Sequence, residues 1–389
     1  MHAAGWPPIR HLAMISSNAA SLVRFRGPLI SALGDAGVRV TALAPDFTDT
    51  LRSELRARGA EPRDISLDRT GTSPVRDTLD LLRLAGTLRT LRPDASFAYF
   101  IKPVVYGSLA ARLAGIPRRY ALMAGMGYVF TSGEGAASGA RRILRQAVAG
   151  LLRAALRGCE KVFFHNGDDI AELSRAGLLD VQRGVLLGGT GIDLDLFPPS
   201  PPPAEGPVRF LLVARLLREK GIAEYAQAAA IVKQRYPETV FELVGGHDPN
   251  PGAIPAQDVA RWVAAGLLQW HDHVEDVGRF YRACSVYVLP SWREGKPRST
   301  QEAMATGRAV ITTDTVGCRD TVEPGVNGVL VPLRDPQALA EAMIAFIENR
   351  QRIRDMGAAS RRLAEELYDV RKINQRILVE IGVSPAPAQ

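Results

Sequence analysis

The segment Glu294-Gly-Lys-Pro-Arg-Ser-Thr-Gln-Glu302 separates two carboxylates by seven residues and follows directly on the apolar run at 286–290. Such a run is a buried strand, so both acids belong at a strand's carboxyl end, where open α/β sheets bind their ligands. Gly295 and Pro297 break the chain, and a helix beginning near Ser299 leaves its first backbone amides unpaired, which suits a diphosphate. A plainer reading exists: Ser299-Thr-Gln-Glu302 has the form of a capping box, in which serine and glutamate satisfy each other's backbone donors. A second group, Leu211-Leu-Val-Ala-Arg215 followed by Lys220-Gly221, puts two cations just past another strand. When a sugar leaves a nucleotide, charge grows on the departing diphosphate, and fixed cations lower that barrier without a metal. Here the plainer reading is a solvated pair beside Glu219.

These residues need elements to hold them. Short apolar runs at 9–16, 38–44, 95–101, 119–123 and 161–165 predict buried strands, with helical segments at 78–91, 106–114 and 138–157. The alternation restarts with strand candidates at 208–213, 241–245, 286–290, 309–313 and 328–331. It implies two parallel, doubly wound sheets, so the expected class is α/β with two Rossmann-like domains facing a cleft. Between them, Phe197-Pro-Pro-Ser-Pro-Pro-Pro-Ala-Glu-Gly-Pro207 cannot sustain a helix or a central strand and reads as a stiff linker.

The 389 residues suit two domains, and hydrophobic and charged shares of 46% and 23% exclude a disordered or fibrous chain. No apolar run is long enough to span a membrane, and the N-terminus lacks the pattern of a secretory signal, so a cytoplasmic protein is expected. Cys159, Cys284 and Cys318 are too widely spaced for a zinc site and read as buried thiols. His165, His247, His271 and His273 also lack metal-ligand spacing. The net charge of +7 is uneven: residues 1–200 carry 25 Lys and Arg against 18 Asp and Glu, the rest 23 against 23. A positive first half favours anionic partners.

Arg215 with Lys220, Gly245-Gly246, and Glu294 with Glu302 resemble, in order and spacing, the signature of family 4 retaining glycosyltransferases. More narrowly, Asn250-Pro-Gly-Ala-Ile-Pro255, Glu294 to Arg298 with Glu302-Ala-Met-Ala305, and Ile311-Thr-Thr-Asp314 with Gly317-Cys-Arg319 resemble bacterial enzymes that extend lipid-linked oligosaccharides. These include N-acetylgalactosaminyltransferases acting on undecaprenyl-diphosphate sugars. The resemblance implies the two-domain GT-B fold, with an acceptor-binding domain at 1–197, the linker at 198–207, and a nucleotide-sugar-binding domain at 208–365. A helix in 366–389 would return to the first domain before the tail. The expected partners are a nucleotide-sugar donor, with uridine diphosphate carrying an N-acetylhexosamine, and a lipid-diphosphate-linked glycan; no nucleic acid and no metal cofactor are expected. Other outcomes of the same fold are a nucleotide-sugar epimerase and a catalytically silent sugar-nucleotide-binding subunit.

By the same resemblance Glu294 contacts hydroxyls of the transferred sugar, Glu302 holds the donor ribose, and Arg215 and Lys220 hold the diphosphate. Gly245 gives the donor close access to the backbone, Val274 lines the base, and Gly295, Pro297, Arg298 and Ser299 complete the donor side. Lys296, Thr300 and Gln301 stand where relatives of that family carry apolar residues. The loop Met123-Ala-Gly125-Met-Gly127-Tyr128 lacks the histidine many relatives have there, so no histidine is assigned a catalytic role. On the acceptor side the candidates are Asn18, Arg26, Lys102, Gly125 and Gly127, each of which also reads as ordinary surface or turn. Between Gly135 and Cys159 five arginines and no acid occupy an arc of roughly 160° in a helix, opposite Ile143, Leu144, Ala147, Leu151 and Ala154. That pattern suits contact with anionic lipid on the inner face of the plasma membrane, or a core-packed helix with a solvated basic side.

Overall fold

A computed structural model describes residues 7–67, 73–125, 139–248, 250 and 252–384, with backbone alone at 74 and 139–145. The chain divides into two compact units, residues 1–190 with 371–389, and residues 191–370.

The first unit holds strands β1 (His11–Ile15), β2 (Arg39–Ala44), β3 (Ala60–Asp64), β4 (Ala95–Tyr99), β5 (Arg118–Met123), β6 (Lys161–Phe164) and β7 (Gly184–Leu186). Helices α1 (Ala19–Asp35), α2 (Asp49–Ala57), α3 (Pro74–Leu91), α4 (Ser108–Leu113), α5 (Gly139–Arg157) and α6 (Gly167–Arg175) alternate with them. The strands form a parallel sheet in the order β3-β2-β1-β4-β5-β6-β7. Chain order reverses between β1 and β4, where neighbouring crossovers leave to opposite faces and open a crevice at the carboxyl ends. After His11, β1 is apolar because both its faces are covered: Leu12 and Met14 enter one core, Ala13 and Ile15 the other.

The second unit holds β8 (Arg209–Val213), β9 (Val240–Val244), β10 (Gln269–His271), β11 (Val286–Leu289), β12 (Ala309–Thr313) and β13 (Gly328–Val331). Its helices are α7 (Ile222–Arg235), α8 (Ala256–Ala264), α9 (Gly278–Ala283), α10 (Arg298–Ala305), α11 (Pro336–Glu348) and α12 (Arg350–Leu367). This sheet is also parallel, in the order β10-β9-β8-β11-β12-β13. The last helix, α13 (Val370–Glu380), sets Ile373, Ile377 and Leu378 into the core of the first unit.

Three strands absent from the sequence expectation, β3, β7 and β10, are all sheet edges or next to none but one neighbour. Their sequences, Ala-Glu-Pro-Arg-Asp, Gly-Val-Leu and Gln-Trp-His, are short or polar, as edges that must not recruit other chains usually are.

Two expectations need correction. The boundary lies at Gly191 rather than at the prolines, and the proline-rich stretch belongs to the second unit. Prolines lack a donor but keep their carbonyls, and this stretch is tied down through carbonyls: Arg361 Nη1 donates to Phe197 O at 2.9 Å, Arg308 Nη2 to Ser200 O at 2.8 Å, and Arg350 Nη1 to Ala204 O at 3.1 Å. The second correction concerns α5. Leu152, Ala155 and Leu156 form its buried stripe, whereas Ala147 and Leu151, expected opposite the arginines, are exposed. The spacing 152, 155, 156 is a competing helical stripe, and it wins because it meets the sheet. Arg153 donates to Gly177 O at 2.9 Å, and the side chains of Arg141, Arg142 and Arg145 lie outside the described residues.

Candidate functional site

Lys220 and Glu294 of the second unit meet at the carboxyl ends of β8, β11 and β12. After β8 the chain makes a 3₁₀ turn at Arg218–Lys220 and reaches Gly221 with φ 71°. A Cβ there would lie 2.0 Å from Pro290 O, so only glycine lets this turn press against the end of β11. The turn delivers Lys220 to the Glu294 loop, where Nζ lies 2.5 Å from Glu294 Oε1, both side chains largely buried. Ser291 Oγ is 2.9 Å from the same carboxylate oxygen. From the other side, Glu294 N donates to Val316 O at 3.0 Å, and Gly317, φ 75°, packs so closely that a Cβ would come within 2.2 Å of Glu294 O. Three strand ends therefore fix one acid.

Helix α10 begins at Arg298, one residue before the expected start, with Pro297 as its cap and no side-chain capping bond. The capping box does not form. Ser299 Oγ instead meets Tyr287 OH at 2.7 Å, while Glu302 accepts from Tyr281 OH at 3.0 Å and from Arg298 Nε at 2.8 Å. Burial pushes the phenols of Tyr281 and Tyr287 far up, which keeps them protonated donors. The first amides of α10 thus lack a side-chain cap, between Glu294 on one side and Glu302 on the other.

Other candidates stand apart or do different work. Arg215 is half exposed and pairs with Asp248 at 2.6 Å rather than with the Glu294 loop. Gly245 has φ 149°, and a Cβ would lie 1.9 Å from Ala214 O; the need for glycine is met by backbone packing on backbone. Val274 is half-buried in the loop after β10, and Gly295 and Pro297 are buried within the Glu294 loop. Lys296 turns inward, 5.6 Å from the Tyr368 ring and 3.9 Å from Asp320, and burial lowers its ammonium pKa. Thr300 and Gln301 are fully buried on the inner side of α10.

In the first unit each described candidate is engaged by its own framework. Asn18 caps α1, accepting from Ser21 N at 2.9 Å and donating to Asp46 at 2.8 Å. Arg26 is 2% exposed, its guanidinium 5.2 Å from the Tyr99 ring, so the reading of a solvated surface arginine is wrong. A position about two turns into α1, against Tyr99 at the end of β4, accounts for that burial. Lys102 is likewise not a surface lysine: Nζ lies 2.8 Å from Asp77, which also accepts from Tyr106 OH at 3.1 Å. Phe100, just before it, has φ 71°, and a π-turn follows at Pro103–Gly107. Gly125 has φ 127°, and Gly127 lies outside the described residues.

Residues the sequence did not reveal are Ser291, Tyr281, Tyr287, Asp248 and Asp77. The tyrosines lie in apolar runs and read as core, and Asp77 reads as the solvated side of a helix. Ser291 alone gave a signal, as the first polar residue after β11. Among the described residues no cluster of three His, Cys, Asp or Glu is placed to hold a metal ion.

Residues 207–349 match the family Glycosyl transferases group 1. The chain is 26% identical to the N,N'-diacetylbacillosaminyl-diphospho-undecaprenol alpha-1,3-N-acetylgalactosaminyltransferase of Campylobacter jejuni, over 87% of this chain and 90% of that one. It is also 26% identical to the UDP-Gal:alpha-D-GlcNAc-diphosphoundecaprenol alpha-1,3-galactosyltransferase of Escherichia coli, over 78% of each. Among solved structures, Anabaena Alr3699/HepE in complex with UDP and glucose superposes with a TM-score of 0.74, at 17% identity, covering 96% of this chain and all of that one. With its two parallel sheets, the chain has the GT-B fold, and its second unit carries a Glycosyl transferases group 1 domain.

Proposed function

We propose that this protein is a retaining, metal-independent glycosyltransferase that moves an N-acetylhexosamine from a uridine diphosphate donor to a glycan carried on a lipid diphosphate. The observation that carries the proposal is the Lys220–Glu294 contact of 2.5 Å, held beside the uncapped start of α10 with Glu302 on its far side. An acid that orients a sugar, a cation and amides that take up leaving-group charge, and a second acid for the ribose are what such a reaction needs in one place. The two relatives' names, each with a diphosphoundecaprenol acceptor, supply the acceptor class.

In this reading Glu302 takes the ribose hydroxyls, the amides of α10 with Lys220 take the diphosphate, and Arg215 leaves Asp248 to join them. Glu294 keeps Oε1 on Lys220 and offers Oε2 to a sugar hydroxyl. The bond from the anomeric carbon to the diphosphate oxygen breaks first. The acceptor hydroxyl enters on the same face, its oxygen bonds to that carbon, and its proton passes to the departing phosphate. The first unit, with its surplus of cations, carries the acceptor at the cytoplasmic face of a membrane.

The test is transfer from labelled UDP-N-acetylhexosamines to a lipid-diphosphate glycan, with and without EDTA, and with the product anomer read by NMR. Retention, indifference to EDTA and loss of transfer in Glu294→Gln are expected. Change of the donor sugar without acceptor would point to epimerisation, and a fully active Glu294→Gln would end the catalytic assignment.

A further inference from the structure

Helix α3 is built inside out over its first two turns. Its inward positions 77 and 80 are aspartates, 6% and 3% exposed, and each has a partner: Asp77 with Lys102 and Tyr106, Asp80 with Ser66 Oγ at 2.6 Å. Its outward positions, spaced as one helical stripe, are Val75, Leu79 and Leu82, 72%, 48% and 55% exposed. From Leu81 onward the helix turns apolar residues inward, with Leu81 packed against the core and Leu84, Ala85 and Leu88 within it. Three adjacent aliphatic side chains held in water by buried carboxylates are not the scattered exposed leucines of an ordinary surface.

The charges around this stripe have one sign. Arg76, Arg83 and Arg89 are exposed on α3, Arg112 on α4, and neither helix has an exposed carboxylate. Arg89 donates to Leu113 O at 2.9 Å, which sets the end of α4 and the exposed Leu113 beside α3. Apolar side chains rimmed by arginines fit the boundary between acyl chains and anionic head groups, where leucines enter and arginines reach phosphates.

We propose that the Val75–Leu79–Leu82 face of α3, with its rim of arginines, is the surface by which this protein docks on an anionic lipid bilayer. The proposal rests on the reading of the acceptor as lipid-linked and says where that membrane is met. It moves the contact away from the arginine arc of α5 and gives Asp77 and Asp80 a purpose, since they turn the stripe outward.

The experiment floats the full chain with phosphatidylcholine vesicles, with and without phosphatidylglycerol, and assays transfer in parallel on a short-chain, water-soluble lipid-diphosphate acceptor. Wild-type protein is expected to float with the anionic vesicles. Leu79→Ser combined with Leu82→Ser should cut the bound fraction about tenfold, and Arg112→Gln about fivefold, with melting curves and transfer to the soluble acceptor unchanged. Variants that float as well as wild type would overturn the proposal, as would a wild-type dimer that the serine substitutions dissolve, which would make the face a self-interface. Loss of transfer to the soluble acceptor would overturn it too, by assigning the face to the acceptor site. Vesicle binding that depends on these residues, with no transfer by any form of the protein, would keep the docking face and remove the function.

Discussion

The two sheets finish their strands in different ways. At the carboxyl edge of the second, side chains from separate strand ends meet one another: Lys220 from after β8, Ser291 and Glu294 from after β11, with Gly317 from after β12 packed beneath. At the corresponding edge of the first, Asn18, Arg26 and Lys102 each close a contact with the unit's own scaffold. The difference teaches where motif reading works. The candidates read by motif spacing, Lys220 and Glu294, meet each other across strand ends; Asn18, Arg26 and Lys102 take whatever partner the packing offers.

The comparison can be broken most directly at Lys220. Lys220→Ala is expected to lower kcat on the order of 100- to 1000-fold, the size seen when a preorganised partner of developing charge is removed, together with a fall in Tm, because it leaves the largely buried Glu294 carboxylate without its cation. Lys102→Ala should lower stability alone. It strands the buried Asp77 carboxylate, which costs about 3 kcal/mol, visible as a drop in Tm while donor binding by calorimetry stays the same. A raised KM for acceptor with unaltered Tm would instead put Lys102 in the site and erase the contrast.

Smaller effects sharpen it. Tyr281→Phe removes one donor from Glu302, and donor KM is expected to rise about tenfold with kcat little changed. Lys296→Met tests a fold residue lodged inside the Glu294 loop. Burial lowers the folded-state pKa of Lys296 below its unfolded value, so unfolding takes up a proton between the two. The penalty is therefore fully present below the folded-state pKa and fades as pH rises from there toward about 10.4. Lys296→Met should stabilise by about 1 kcal/mol at pH 7, and the gain in Tm should shrink in alkaline buffer.

The central strands were legible because strands covered on both faces are largely apolar, as β1 after His11 and β11 are. β3 and β10 were not, because an edge strand is selected for polarity and brevity. Within the site, Glu294 and Glu302 were read by spacing, but the rival capping box could be dismissed only once Tyr287 and Tyr281 were seen to occupy Ser299 and Glu302. At Gly245 the structure shows a need for glycine that sequence alone could not locate: a Cβ there would meet Ala214 O. On α5 the arginine count misled, since periodicity offers more than one apolar stripe and only the sheet decides which one is buried.

Arg308 carries a consequence for engineering. Its buried guanidinium donates through Nε to Tyr281 O at 2.7 Å and through Nη2 to Ser200 O at 2.8 Å, and Tyr281 in turn holds Glu302. The proline run is thereby a strut rather than a cable. A designer who swapped it for a glycine-serine tether of equal length would keep the connection but slacken the tyrosine that steadies Glu302, so on the proposed function a cut far from the chemistry would be read out as weaker grip on the donor.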